Sequence, residues 1–137
     1  MYRLLTETMK NYKELLLERL TKNSIQLCEI GDLLRHHPVG RHLYEQLIRS
    51  GTASSLIYAE SISAESVKDL IHKLSLVLKE LRETKTNLLI LSGIKLNSIT
   101  SHLVESSLLE TEELIAQIGK GLYTLKIKHR DQSRGKT

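Results

Sequence analysis

The stretch QLIRSGTASSLIYAESISAESVKDLIHKLSLVLKELRETKTNLLIL, Gln46 to Leu91, decides the fold. It reads as a helix rich in small residues, a tight turn and a long heptad helix. In the heptad part Val67, Leu70, Leu74, Val77, Leu81, Thr84, Leu88 and Leu91 recur at spacings of three and four, the a/d seam of a helix packed on another helix. Ser63 is placed to cap that helix, Glu65 falls in its first turn, and Gly93 is a natural stop. The preceding helix carries Leu43, Leu47, Ser54 and Tyr58 on one stripe, with Gly51, Thr52, Ala53, Ser54 and Ser55 at its centre. The glycine alone costs a helix about 1 kcal/mol, so compensation is expected from close approach of a neighbour or from a local kink.

Working outward, Met9, Leu16, Leu20, Asn23, Leu27, Ile30 and Leu34 form an apolar stripe ahead of this stretch. Asn23 interrupts it: either one helix continues through, or Asn23 or Ser24 caps a new one. Pro38 in HHPVG ends the segment. After Gly93, IKLNSITSHLVESS reads as a connection with a helical turn near Thr100 to Leu103. A last helix then buries Leu109, Leu114, Ile118, Leu122 and Leu125, with Gly119 and Gly121 as packing or bending positions. The prediction is all-α: a single-domain, antiparallel up-down four-helix bundle over residues 1–128, with helices over about 6–36, 39–61, 64–92 and 106–128. Residues 129–137 are expected to form a basic, disordered tail.

Composition narrows the class. A chain of 137 residues with one Pro and no Phe or Trp suits a single helical domain. Cys28 is the sole thiol and sits in a helical pattern, which suits a buried, unreactive side chain in a reducing compartment. The N-terminus lacks the unbroken apolar run of a signal peptide or membrane span, so no membrane partner and a cytoplasmic location are expected. From residue 120 onward six basic residues face only Asp131, a surplus of five within a formal net charge of +4; residues 1–119 therefore sum to −1. Lys126, Lys128, Arg130, Arg134 and Lys136 are the candidate nucleic-acid contacts.

No catalytic, cofactor-binding or metal-binding residue is predicted. His36, His37 and His42 straddle a proline turn with Arg35 and Arg41 beside them, which suits a surface turn rather than a metal site. Glu80 and Glu83 lack the Glu-x-x-His partners of a di-iron bundle and read as ion-pair groups. If the chain reverses near Ile62, Glu83 comes opposite Arg41, and Arg49 lies roughly 7.5 Å along the axis from Glu80. Arg49 and Glu60, eleven residues apart, share a helix face. Arg41, Arg49, Gly51, Glu60, Glu80 and Glu83 are therefore expected to hold the bundle or an oligomer contact together.

QLIRSGT (Gln46 to Thr52), Ala59 with Glu60, AESVKDLIHKLSLVLKELRET (Ala64 to Thr84) and, more weakly, ETEELIAQIGKGL (Glu110 to Leu122) resemble the bacterial four-helix bundle proteins. Some of these are encoded by intervening sequences in large-subunit ribosomal RNA genes, and a ribosomal-protein label is attached to them by analogy. The resemblance covers about residues 25–126. It implies a pentameric ring around a central channel, no enzymatic activity and no cofactor. Ser55, Leu56 and Ile57 stand where that family usually has Gly-Ala-Asn, and the length before Thr21 is additional. The expected function is a self-associating, non-enzymatic bundle that offers its basic end to RNA or a protein partner. The alternative is a purely structural or protein-interaction module, favoured by the near-neutral body and the scarcity of aromatics for base stacking.

Overall fold

The computed structural model describes the backbone of residues 2–135 and the side chains of residues 12–135. Four helices follow one another: α1 Tyr2–Leu34, α2 Gly40–Ile62, α3 Val67–Ser92 and α4 Ser98–Arg134. Each packs on its two neighbours around the bundle, α1 on α2 and α4, and α3 on α2 and α4. Cross-helix bonds run antiparallel, with Ser50 reaching Thr84 and Asn23 reaching Thr111. The up-down four-helix bundle expected from the heptads is the fold.

Asn23 caps nothing, because α1 runs unbroken through it. The stripe from Leu16 to Leu34 is buried, Asn23 included, while the Met9 side chain lies outside the described residues. The helical reversal is offset from expectation. Ser63 ends α2 and Ser66 caps α3, its side chain accepting from the Asp69 amide at 3.0 Å, while Asp69 accepts from the Glu65 amide at 3.2 Å. Four connecting residues thus separate α2 from α3 and shift their pairing. In α3, Val77, Leu81, Thr84, Leu88 and Leu91 are buried, whereas Leu70 and Leu74 are half-covered and Val67 is exposed.

The largest departure is α4, which starts at Ser98 rather than near residue 106. Asn97 caps it, accepting from the Thr100 amide at 2.8 Å. Thr100, Val104, Ser107 and Thr111 form the buried face of its first turns, so Leu109, expected inside, is exposed. Leu125 is only half-buried. The helix also continues through residues 129–134, where a disordered tail was expected, and Gly135 ends it by donating to the Asp131 carbonyl at 3.0 Å.

His37 supplies the signal that starts α2. Its Nδ1 accepts from the amides of Val39 at 3.2 Å and Gly40 at 3.1 Å, two donors that the helix itself leaves unpaired. His36 and His42 stay exposed at the surface turn. Replacing His37 by Ala is expected to destabilise the bundle by about 1 kcal/mol, and Asn at this position to restore most of it. Urea unfolding of the two variants checks this.

The core is two apolar clusters with a polar layer between them. One contains Leu16, Leu20, Tyr58, Leu81 and Leu114; the other contains Leu27, Ile30, Leu47, Leu88 and Val104. On every helix the residues between the two are small or polar and buried: Asn23 and Ser24, Ser50, Gly51 and Ser54, Thr84 and Asn87, Ser107 and Thr111. Asn23 Nδ2 donates to Thr111 Oγ1 at 2.9 Å, Thr84 Oγ1 to Ser50 Oγ at 2.9 Å, and Ser24 Oγ to the Gly51 carbonyl at 2.6 Å. Asn87 Nδ2 and Ser107 Oγ, in the same layer, have no partner among the described residues.

Within the first cluster, burial pushes the Tyr58 phenol up to about 12, with the nearby Tyr12 adding to it. An unfolded Tyr releases its proton near 10, so between these values the folded chain binds more protons than the unfolded one. Stability is therefore intact below about pH 10 and falls as pH rises toward 12, by on the order of 2 kcal/mol. Tyr58→Phe should flatten that part of the stability profile measured by urea unfolding.

Candidate functional site

The small residues at the centre of α2 bring it against α1. A Cβ on Gly51 would lie 2.5 Å from Leu27 Cδ1 and 3.3 Å from Leu27 Cβ, so no side chain fits without displacing a core leucine. Close approach, the first of the two expected compensations, is what the structure contains. Gly119 and Gly121 differ. A Cβ at either meets nothing within 4 Å and α4 runs on through both, so close packing among the described residues does not require them.

The expected ion-pair network forms through Arg49 and without Arg41. Arg49 pairs with Glu80 at 3.3 Å and, more closely, with Glu83. The hydrogen bond to Glu83 and then the charges of Glu83 and Glu80 raise the guanidinium above its ordinary value. Arg41 is exposed and has no ion pair among the described residues, because the offset reversal carries Glu83 past it to Arg49. Glu60 pairs with Lys73 at 3.5 Å. Arg49 and Glu60, read as sharing a possible oligomer face, thus both direct their charges onto α3. A further pair escaped the sequence reading: Arg19 meets Glu110 at 2.9 Å and Glu113 at 3.4 Å across the α1–α4 groove. The bond to Glu110 outweighs the opposing effect of burial and holds Arg19 above its usual range. The one-residue precision needed to align α1 with α4 is not available from two separate stripes.

The basic residues sit on the far half of α4. Lys120, Lys126, Lys128, Arg130 and Arg134 are exposed, and Lys136 lies outside the described residues. Lys120, Lys126, Lys128 and Arg130 have no ion pair among the described residues. Helical geometry spaces these charges at a fixed rise of about 1.5 Å per residue, where a disordered tail would leave them unspaced. Among the described residues no group of three or more His, Cys, Asp or Glu side chains is placed to hold a metal ion, and no helix is long and apolar enough to cross a membrane.

These features define an all-α bundle with a polar mid-layer and a charged fourth helix. No protein-family model matches the chain, and no curated protein matches it. Among solved structures, it is similar to the crystal structure of a protein of unknown function from the S23 ribosomal protein family of Bacteroides thetaiotaomicron, with a TM-score of 0.70. That similarity covers 78% of this chain and 97% of the other at 23% sequence identity, which shows a shared fold.

Proposed function

We propose that this protein is a non-enzymatic, cytoplasmic helical-bundle module that self-associates and presents the C-terminal half of α4 to RNA. The observation that carries the reading is the row of exposed cations Lys126, Lys128 and Arg130, without an ion pair among the described residues, on a helix that continues to Arg134. Phosphate contacts by such residues release counterions from the nucleic acid and supply affinity without base readout. In this reading the chain is a divergent member of the bacterial four-helix bundle proteins it resembles, and the S23 label of the similar structure points the same way. Self-association multiplies the basic ends on one particle, which raises weak phosphate binding through effective concentration.

The test is fluorescence anisotropy with a structured RNA at physiological salt, using the full chain and a Lys128→Gln/Arg130→Gln variant. The expected loss of affinity is about tenfold, since two phosphate contacts disappear. Unchanged binding by the variant would contradict the RNA part of this reading. An RNA that never binds would leave the protein-interaction reading, which the acidic first half of α4 favours through its four Glu and lack of Lys or Arg between Ser98 and Gly119.

A further inference from the structure

At the end of the bundle where α2 turns into α3, the four helices leave a recess of about 190 Å³. Each helix supplies an apolar wall: Leu16 from α1, Tyr58 from α2, Leu74 from α3 and Ile118 from α4. Roughly 150 Å³ between aliphatic side chains is enough to hold benzene, so the space suits an apolar group of that size or a little larger. Beside the recess, between α1 and α4, runs a groove lined by Lys120, Thr124 and Lys128. Recess and groove share Tyr12, Gln117, Gly121 and Leu125, so they meet at the level of Gly121. That glycine is otherwise unexplained. It has no positive φ, a Cβ on it would meet nothing within 4 Å, and glycine weakens a helix. A side chain there would stand in the passage between the two spaces. Charge separates them as well. Lys13 borders the recess and Lys120 and Lys128 border the groove, and among the described residues no Asp or Glu lines either and none of the three lysines has an ion pair.

We propose that this bundle end binds a single-chain amphiphile with an anionic head, of the medium-chain fatty acid class. The alkyl chain passes Gly121 into the apolar recess, and the head stays in the groove beside Lys120 and Lys128. Helix geometry supports the path. Gln117, Gly121, Thr124 and Lys128 follow at steps of four, three and four, which makes one stripe of α4, with Lys128 about 10.5 Å beyond Gly121. The two parts of the ligand use different physics. Each methylene taken from water raises affinity by roughly fourfold, whereas the head gains charge-assisted contacts from flexible lysine ammonium groups. A neutral apolar molecule would leave the lysines without a role, and a polynucleotide offers no segment suited to an aliphatic recess. The site is separate from the RNA reading and shares only Lys128 with it.

Isothermal titration calorimetry of the full chain at neutral pH, with octanoate, octanol and butanoate as probes, tests the site. Octanoate should bind saturably, one per chain. Octanol, which lacks the charge, should bind about tenfold more weakly, and butanoate, four methylenes shorter, more than about a hundredfold more weakly. Gly121→Leu should weaken octanoate and octanol alike by at least about tenfold, because its side chain fills the passage. Leucine is the better helix former and the first added carbon meets nothing, so this variant keeps its fold, which circular dichroism checks. Lys120→Gln/Lys128→Gln should weaken octanoate by about tenfold and leave octanol unchanged, a split that a merely structural effect would not produce. Absence of saturable octanoate binding, octanol binding as tightly as octanoate, or wild-type affinity in Gly121→Leu would each overturn the proposal. Gly121→Leu removes no cation, so RNA binding by that variant should match wild type and the two readings fail separately.

Discussion

Replacing Gly51 by Val is expected to destabilise the bundle by about 3 kcal/mol, despite removing a helix-weakening glycine. The two effects oppose each other, and their sizes decide the sign. Leaving glycine gains a helix roughly 0.5 kcal/mol when the replacement is β-branched. Against that, the first added carbon already falls 2.5 Å from Leu27 Cδ1, and Leu27 is 1% exposed within a close-packed cluster. Two further methyl groups have no space, because core packing leaves few voids and the α1–α2 spacing is held by Ser24 bonding to the Gly51 carbonyl at 2.6 Å. The cost should depend on its named partner. Leu27→Ala alone loses about 2–5 kcal/mol by opening a cavity, and that cavity is where the valine goes. The double variant should then be more stable than the sum of the two losses by at least about 1 kcal/mol. Urea unfolding of the four proteins measures this coupling, and strict additivity would mean that Gly51 is required for some other reason.

The second large effect lies in the polar layer. Thr111→Val preserves shape but removes the oxygen that receives Asn23 Nδ2, and Asn23 is 5% exposed. A buried amide without an acceptor costs its full desolvation, about 2 kcal/mol here. Removing both partners behaves differently. Asn23→Leu with Thr111→Val joins the two apolar clusters on this side and should recover most of the loss, as paired polar groups often add little net stability over apolar ones. What the polar layer contributes is alignment. Asn23 on α1 and Ser50 on α2 each find their partner on another helix only in one axial setting, whereas leucine stripes tolerate sliding by a turn. The double variant should therefore keep its melting temperature near wild type while showing a broader thermal transition or more than one set of amide resonances.

α1 and α3 were legible in the sequence because most of their buried faces are written in large aliphatic residues, and α2 because Leu43, Leu47 and Tyr58 mark its stripe among small ones. The stripe from Leu16 to Leu34 and the seam from Val77 to Leu91 lie inside the core. The start of α4 was hidden because its buried face is Thr100, Val104, Ser107 and Thr111, residues that carry little hydrophobic periodicity. Leu109, the nearest large apolar side chain, drew the helix start and the core assignment toward itself, although it faces solvent. The reversal between α2 and α3 was misplaced because Ser63 and Ser66 are equally good caps by type, and only Asp69 behind Ser66 distinguishes them. That choice moved the expected partner of Glu83 from Arg41 to Arg49. His37 as a helix cap had no sequence signal, since a ring nitrogen in this role depends on its own orientation. Lys126 and Lys128 were placed on the fourth helix, but composition alone made residues 129–137 a disordered tail, whereas the chain is helical to Arg134.

The salt dependence of RNA binding by the full chain tests the phosphate-binding surface proposed for α4. Each phosphate neutralised contributes about 0.7–0.9 to the slope of log affinity against log salt concentration. With Lys126, Lys128, Arg130 and Arg134 engaged, affinity should fall with a slope of about 3 in magnitude. A slope indistinguishable from zero over the same salt range would mean that α4 makes no phosphate contacts.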